Sequence, residues 1–280
     1  MKNTLIKKLG IHYFLNFLIR ILVHIKMKFN LIFITIFLAT LSSCFTSIPK
    51  GSSKATTHEK WTSLLKKHVD DAGFVNYKGF IADSVLLNNY LTQLSDNAPA
   101  NTWSKDEKFA YWINAYNAFT VKLIVINYPL KSIKDLNPNA AVIFINTVWD
   151  KKFFKIGGKD MTLNTIEHKI LRKKFDDARL HFAVNCASYS CPKLLNEAYE
   201  AKNLEAQLTQ QAKDFLADKT KNVVSASNPK LSSLFKWFNG DFTKKNLTKI
   251  AFINQYAPTK INDNANLEYL DYSWALNEQK

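Results

Sequence analysis

Several signatures are missing from this 280-residue chain. It has no phosphate-cradling loop, since Gly157-Gly158 lacks the Lys-Ser/Thr ending. It has no Gly-x-Ser-x-Gly run and no His-Glu-x-x-His run, which removes two common hydrolase classes. No internal repeat is present, and no linker divides the part after residue 57. Cysteine is rare, at three in all. Long apolar runs are also lacking. Phe29 to Leu41 falls short of the about 20 residues a bilayer span needs. Arg20 and His24 interrupt the earlier stretch from Ile11 to Ile25. The formal charge is +15, yet the lysines are scattered and no basic run carries interleaved aromatics. Nucleic acid is therefore not an expected partner.

The N-terminus carries the clearest signal. Lys26 and Lys28 precede a short apolar run that closes on Leu41-Ser42-Ser43-Cys44. That is the layout of a secretory signal peptide, and its ending resembles a bacterial lipobox. In such signals the cysteine is lipidated and becomes the mature N-terminus. Residues 1–43 are then a removable signal region, with Met27 as an alternative start. Residues 44–57 are a lipidated tether, and residues 58–280 are one globular domain. Six of the basic residues and no acid precede Cys44, so the mature chain keeps a charge of about +9 by difference. A surface beside anionic lipid or cell-wall polymer suits that excess. The expected location is the cell envelope, anchored outside the cytoplasm. Phe45 rather than aspartate follows the cysteine, which favours the outer membrane over the inner.

Within the domain, helical periodicity recurs. Asp83 to Leu94 has its apolar residues at helical spacing, and Leu204 to Ala217 is amphipathic. Ser104-Lys105-Asp106-Glu107 is a capping box opening the longest helix, which Pro129 ends. Its apolar residues leave almost no polar face, so it is central. Asn114 and Asn117 sit on it, and buried amides without partners cost about 1–3 kcal/mol each. They must bond a neighbouring loop or line a polar cavity. Val142 to Ile145, Phe153 to Ile156, Lys159 to Met161 and His181 to Asn185 read as strands, with Gly157-Gly158 as a hairpin turn. The expected fold is α+β: mostly helical, with a long buried central helix and a small, mainly antiparallel sheet.

Two constellations can carry chemistry. On a helix from Leu163 to about Lys174, Glu167 falls inside the apolar face and His168 on its flank. A carboxylate aimed at a core needs a partner. The bland reading is a salt bridge to Arg172 or Arg179. The second constellation is His181 to Cys191. Cys186 leaves a predicted strand into a loop of small residues, a frequent place for function. As a nucleophile it needs a nearby imidazole or N–H groups to lower its pKa. His181, five residues upstream, lies on the opposite face of a straight strand, so His168 is the better partner and His181 a secondary candidate. A Cys186–Cys191 disulfide clamping the loop is an equal contender. A zinc site from both cysteines, His168 and His181 matches no common spacing. Inert buried thiols complete the alternatives.

Three stretches together resemble one family. They are Phe109 to Ala118 with its Asn-Ala-Tyr-Asn, Leu163 to His168 with its Glu-His, and His181 to Pro192 with its Asn-Cys. The tails Leu234 to Phe238 and Tyr272-Ser273-Trp274 fit too. The chain from about Gly73 onward is similar to the domain-of-unknown-function family numbered 547. The resemblance implies that these segments form one recurring core, and it favours Cys186 over Cys191 as the special thiol. It brings no agreed activity.

The enzymatic expectation is acyl or amide chemistry on peptide or cell-envelope material. Cys186 is then nucleophile and His168 general base. Glu167 orients the imidazole or a substrate amine, and Asn117 holds an oxyanion or a loop. The rival is a non-catalytic binding or scaffold domain with a structural disulfide, where aromatics such as Trp237 and Phe238 form a ligand face. Neither reading calls for a metal or a cofactor. The expected partners are the membrane, through the lipid, and a peptide or cell-wall ligand.

Overall fold

A 21-residue helix organises the domain in the computed structural model, which describes residues 54–137 and 147–280. All described residues fall within one unit, 49–280. Cys44 and the expected strand Val142 to Ile145 lie outside them. No helix among the described residues is long and apolar enough to cross a membrane.

The chain first forms α1 (Glu59–His68), α2 (Tyr77–Ala82) and α3 (Ser84–Asp96). α2 and α3 pack against α4 (Lys105–Val125), of which 14 residues are buried, and α1 packs on α2 and α3. The expected capping box starts α4. Ser104 Oγ accepts the Glu107 N–H at 3.1 Å, and the Glu107 carboxylate accepts the Ser104 N–H at 2.6 Å. Two of the donors left orphaned at a helix start are thereby satisfied.

Next comes the hairpin β1 (Phe154–Ile156) and β2 (Lys159–Met161). Gly157 and Gly158 both have positive φ, 59° and 75°, as a two-residue turn of matching twist requires. Phe154 stacks on Phe119 of α4 with centroids 3.8 Å apart.

The following segment differs from the expected α-helix. Residues Thr165–Leu171 form a π-helix, continued by one turn, α5 (Arg172–Lys174). The wider i→i+5 turn is rare and often marks functional sites. Ile166, Glu167, Ile170 and Leu171 are its buried side.

A second correction concerns His181 to Asn185. Leu180–Ala183 is a single helical turn, α6, and only then does the backbone extend, at Val184. α7 (Leu204–Ala217) matches the expected helix. The C-terminal part holds β3 (Lys230–Ser232), α8 (Leu234–Trp237), α9 (Asn239–Phe242), α10 (Lys249–Ile253) and β4 (Glu268–Leu270). The fold is α+β and mostly helical. Among the described residues the strands form two separate pairs, β1–β2 antiparallel and β3–β4 parallel.

After β4 the chain runs back along the cysteine loop. Tyr189 N–H donates to Ala275 O at 2.7 Å, and Ser190 N–H to Ser273 O at 3.2 Å. Asn277 N–H reaches Ala187 O at 3.2 Å. This return brings Tyr272 and Trp274 beside Cys186 and Cys191.

Candidate functional site

Glu167, His168, His181, Cys186 and Cys191 line one cavity of about 190 Å³. Much of the rest of its lining is aromatic. Trp237, Tyr272 and Trp274 lie 4.6–5.9 Å apart by ring centroid, and Trp149 meets Trp274 edge-on at 5.7 Å. That volume fits one side chain or head group, since whole small-molecule sites run to roughly 300–1,000 Å³.

The two sequence-predicted amides, Asn117 among them, do not line the cavity. Asn117 Nδ2 donates to Ala183 O, and its Oδ1 accepts the Asn185 N–H, both at 2.9 Å. Asn114 grips Tyr199 through both its N–H and its carbonyl. Each amide bonds a neighbouring loop, as a buried amide must. Asn117 is a positioning residue for the turn that leads into Cys186.

Asn185 carries that bracing forward. Its Nδ2 donates to Pro192 O, and its Oδ1 accepts the Ala187 N–H, both at 2.8 Å. Ala187 is held at φ 61°, a left-handed conformation costing about 1–2 kcal/mol outside glycine. Asn277 Nδ2 reaches Asn185 Oδ1, and Tyr77 O–H donates to Asn277 Oδ1 at 2.7 Å. The cysteine loop is thus fixed by its own Asn185 and by buried amides from two distant segments, Asn117 and Asn277.

Cys186 and Cys191 are joined by a disulfide bond. The two sulfurs are not equivalent. Cys186 is half-buried, whereas Cys191 is 4% exposed. Cys191 Sγ accepts the Cys186 N–H at 3.0 Å and the Tyr272 O–H at 3.3 Å. Cys186 Sγ lies 3.1 Å from Ser188 Oγ and 3.4 Å from Tyr272 Oη. Burial, with help from Glu167, pushes the Tyr272 phenol well above its ordinary range, against the Ser188 bond. It therefore stays a donor.

The imidazoles are engaged elsewhere. Arg172 Nη1 lies 3.0 Å from His168 Nδ1. A guanidinium only donates, so Nδ1 is the acceptor and the ring proton of neutral His168 sits on Nε2. The lone pair that a general base would use is taken by Arg172. His181 Nε2 pairs with Asp241 at 2.8 Å, and its ring stacks on Phe238 at 4.0 Å. Burial lowers the His181 pKa, with Asp241 opposing. For Asp241, burial is outweighed by the bonds from His181 and Arg172, which hold its carboxyl well below the usual range.

Glu167 departs from the bland reading. Arg172 pairs with Asp241, and Arg179 with Asp177 and Glu205. Among the described residues no lysine or arginine pairs with Glu167, which is only 8% exposed. Its neighbour is Tyr116, whose phenol burial and then the Glu167 charge raise well above its ordinary range. Also among the described residues, no three His, Cys, Asp or Glu side chains converge as metal ligands.

Residues 100–216 match the model of a family described as a protein of unknown function, DUF547. The matched segment holds α4, the π-helix, the cysteine loop and most of α7. It supports that domain family over this stretch, within the longer span from Gly73 that the motifs suggest. No curated protein and no solved structure matches the chain.

Proposed function

We propose that this is a lipid-anchored protein of the cell envelope whose domain binds a cationic side chain or head group of peptide or cell-wall material. One observation carries the binding half. Glu167 is a buried carboxylate without a cationic partner among the described residues, set in a cavity with aromatic walls. Its carboxylate has the Tyr116 hydroxyl as a hydrogen-bond partner but no opposite charge among those residues, and a desolvated carboxylate without one costs several kcal/mol. An incoming ammonium supplies the missing partner, and aromatic faces attract cations further. Lys134 Nζ already lies 4.0 Å from the centroid of Trp274. The anchoring half is supported by the run from Lys26 to Cys44 and by the small residues before that cysteine.

A titration followed by tryptophan fluorescence tests the binding. The ligand is a lysine-bearing cell-wall peptide, compared with its side-chain-acetylated form. The free amine should bind and the acetylated form should not. Glu167→Gln should weaken binding about tenfold or more, the scale of one charge-assisted contact. Equal binding of both peptides, or an unaffected Glu167→Gln variant, ends this reading. For the anchor, labelled palmitate should enter the wild-type chain and not Cys44→Ala.

A second reading has one observation in its favour: Cys186, His168 and Glu167 share a cavity wall. As acyl-transfer nucleophile and base, Cys186 must first be reduced and His168 released from Arg172. Iodoacetamide labelling of Cys186 ahead of Cys191 after mild reduction supports it, and equal labelling counts against it.

A further inference from the structure

We propose that the Cys186–Cys191 bond is a thiol–disulfide exchange centre, open to a cysteine thiol on a peptide that enters the cavity. Three observations converge. Both cysteines line a cavity that admits one side chain. The sulfurs are asymmetric, with Cys186 the more accessible and Cys191 buried. The buried sulfur also has the donors that a leaving thiolate requires. The Cys186 N–H at 3.0 Å and the Tyr272 O–H at 3.3 Å both point to Cys191 Sγ. Hydrogen bonds to a thiolate lower its pKa, and a lower pKa makes a better leaving group.

The loop has a second frame besides the bond. Asn117, Asn185 and the returning segment 273–277 also hold it. A reducible pair needs such a frame.

The step balances as follows. A peptide thiolate attacks Cys186 Sγ, forming a mixed disulfide and breaking the bond to Cys191, which leaves as a thiolate and takes up a proton. A second thiol of the same peptide then attacks the mixed disulfide and frees Cys186. Two electrons and two protons pass from the peptide dithiol to the protein, leaving a peptide disulfide. The reverse reaction with a disulfide-bearing peptide restores the bond.

The test uses the purified full chain equilibrated with mixtures of reduced and oxidised glutathione, then acid-quenched, alkylated and weighed. Oxidised and reduced forms should coexist across those mixtures while the protein stays folded. In Cys191→Ser, Cys186 should capture oxidised glutathione about tenfold faster than Cys191 does in Cys186→Ser, following accessibility. Tyr272→Phe should slow reduction by dithiol roughly tenfold through loss of the thiolate donor. Two results overturn the proposal. One is a pair that stays oxidised in excess reduced glutathione until urea unfolds the chain. The other is faster capture at Cys191. The wild-type titration decides alone if a variant does not fold. Because the amine-peptide titration is made on the oxidised protein, failure here leaves that binding reading intact.

Discussion

Asn117 Oδ1 accepts the backbone N–H of Asn185 at 2.9 Å across 68 positions of sequence. With its other end on Ala183 O, one amide holds both ends of the peptide run that enters the cysteine loop. All of these groups are buried. Asn117→Ala strands one donor and one acceptor, at about 1–3 kcal/mol each. A loss of about 2–5 kcal/mol is expected in urea unfolding, with the slope unchanged. A loss below about 1 kcal/mol would mean that water replaces the amide and that the loop is less constrained than its bonds suggest.

His58 should set a step in the pH dependence of stability. It is 4% exposed, and its Nδ1 lies 2.7 Å from Tyr90 Oη. Burial lowers its pKa from 6.5 to about 4. Because the folded value lies below the unfolded one, the unfolded chain binds more protons in between. The stabilisation is complete above pH 6.5, shrinks as the pH falls and is gone below about 4. The total is on the order of 3 kcal/mol. Urea midpoints across this range should fall with pH, and His58→Phe should flatten that slope.

Asp241 governs a second, more acidic step. Its carboxylate is shared by Arg172 at 2.5 Å, His181 at 2.8 Å and Lys244 at 3.3 Å. Its pKa is depressed, so its stabilisation is full above the ordinary carboxylate value of about 4 and is lost as the pH falls further. Asp241→Asn should cost roughly 3 kcal/mol at neutral pH, because it leaves a partly buried guanidinium without its carboxylate. The acid-side decline should shrink in the same variant. A variant as stable as wild type, with an unchanged acid limb, would show that the cluster contributes nothing net.

Local chemistry was legible in the sequence where it is self-contained. The Ser104 capping box, the Gly157-Gly158 turn and the stripe of α7 all appear where their residues predict. Glu167, His168 and Cys186 line one cavity, but a carboxylate on an apolar face foretells only a partner, and Asn117, expected in the same pocket, does not line it. The π-helix was not legible. Its residues keep an ordinary helical stripe, and nothing local announces i→i+5 bonding. His181 to Asn185 is a short apolar run, for which strand and helix are ambiguous. Asp241 decides it by bonding His181 from 60 positions away. Asp241 carries no motif of its own, and Asn185, though part of the Asn-Cys motif, gives no local sign that it braces the loop. Tyr272 belonged to a recognised tail, yet its contact with the sulfurs depends on how the C-terminus returns.

Reduction of the Cys186–Cys191 bond should weaken the domain without unfolding it. The bond closes a loop of only five intervening steps. Chain entropy then predicts about 2 kcal/mol of stabilisation, the low end for disulfides. The amide frame of Asn117, Asn185 and Asn277 remains when the bond opens, as do the backbone bonds to residues 273–277. Near-ultraviolet circular dichroism should change only through loss of the disulfide itself and through the neighbouring Trp237, Tyr272 and Trp274, while the far-ultraviolet spectrum stays constant. The urea midpoint should fall by the equivalent of about 2 kcal/mol. Global unfolding on reduction would show instead that the bond holds the loop and that the amides follow it.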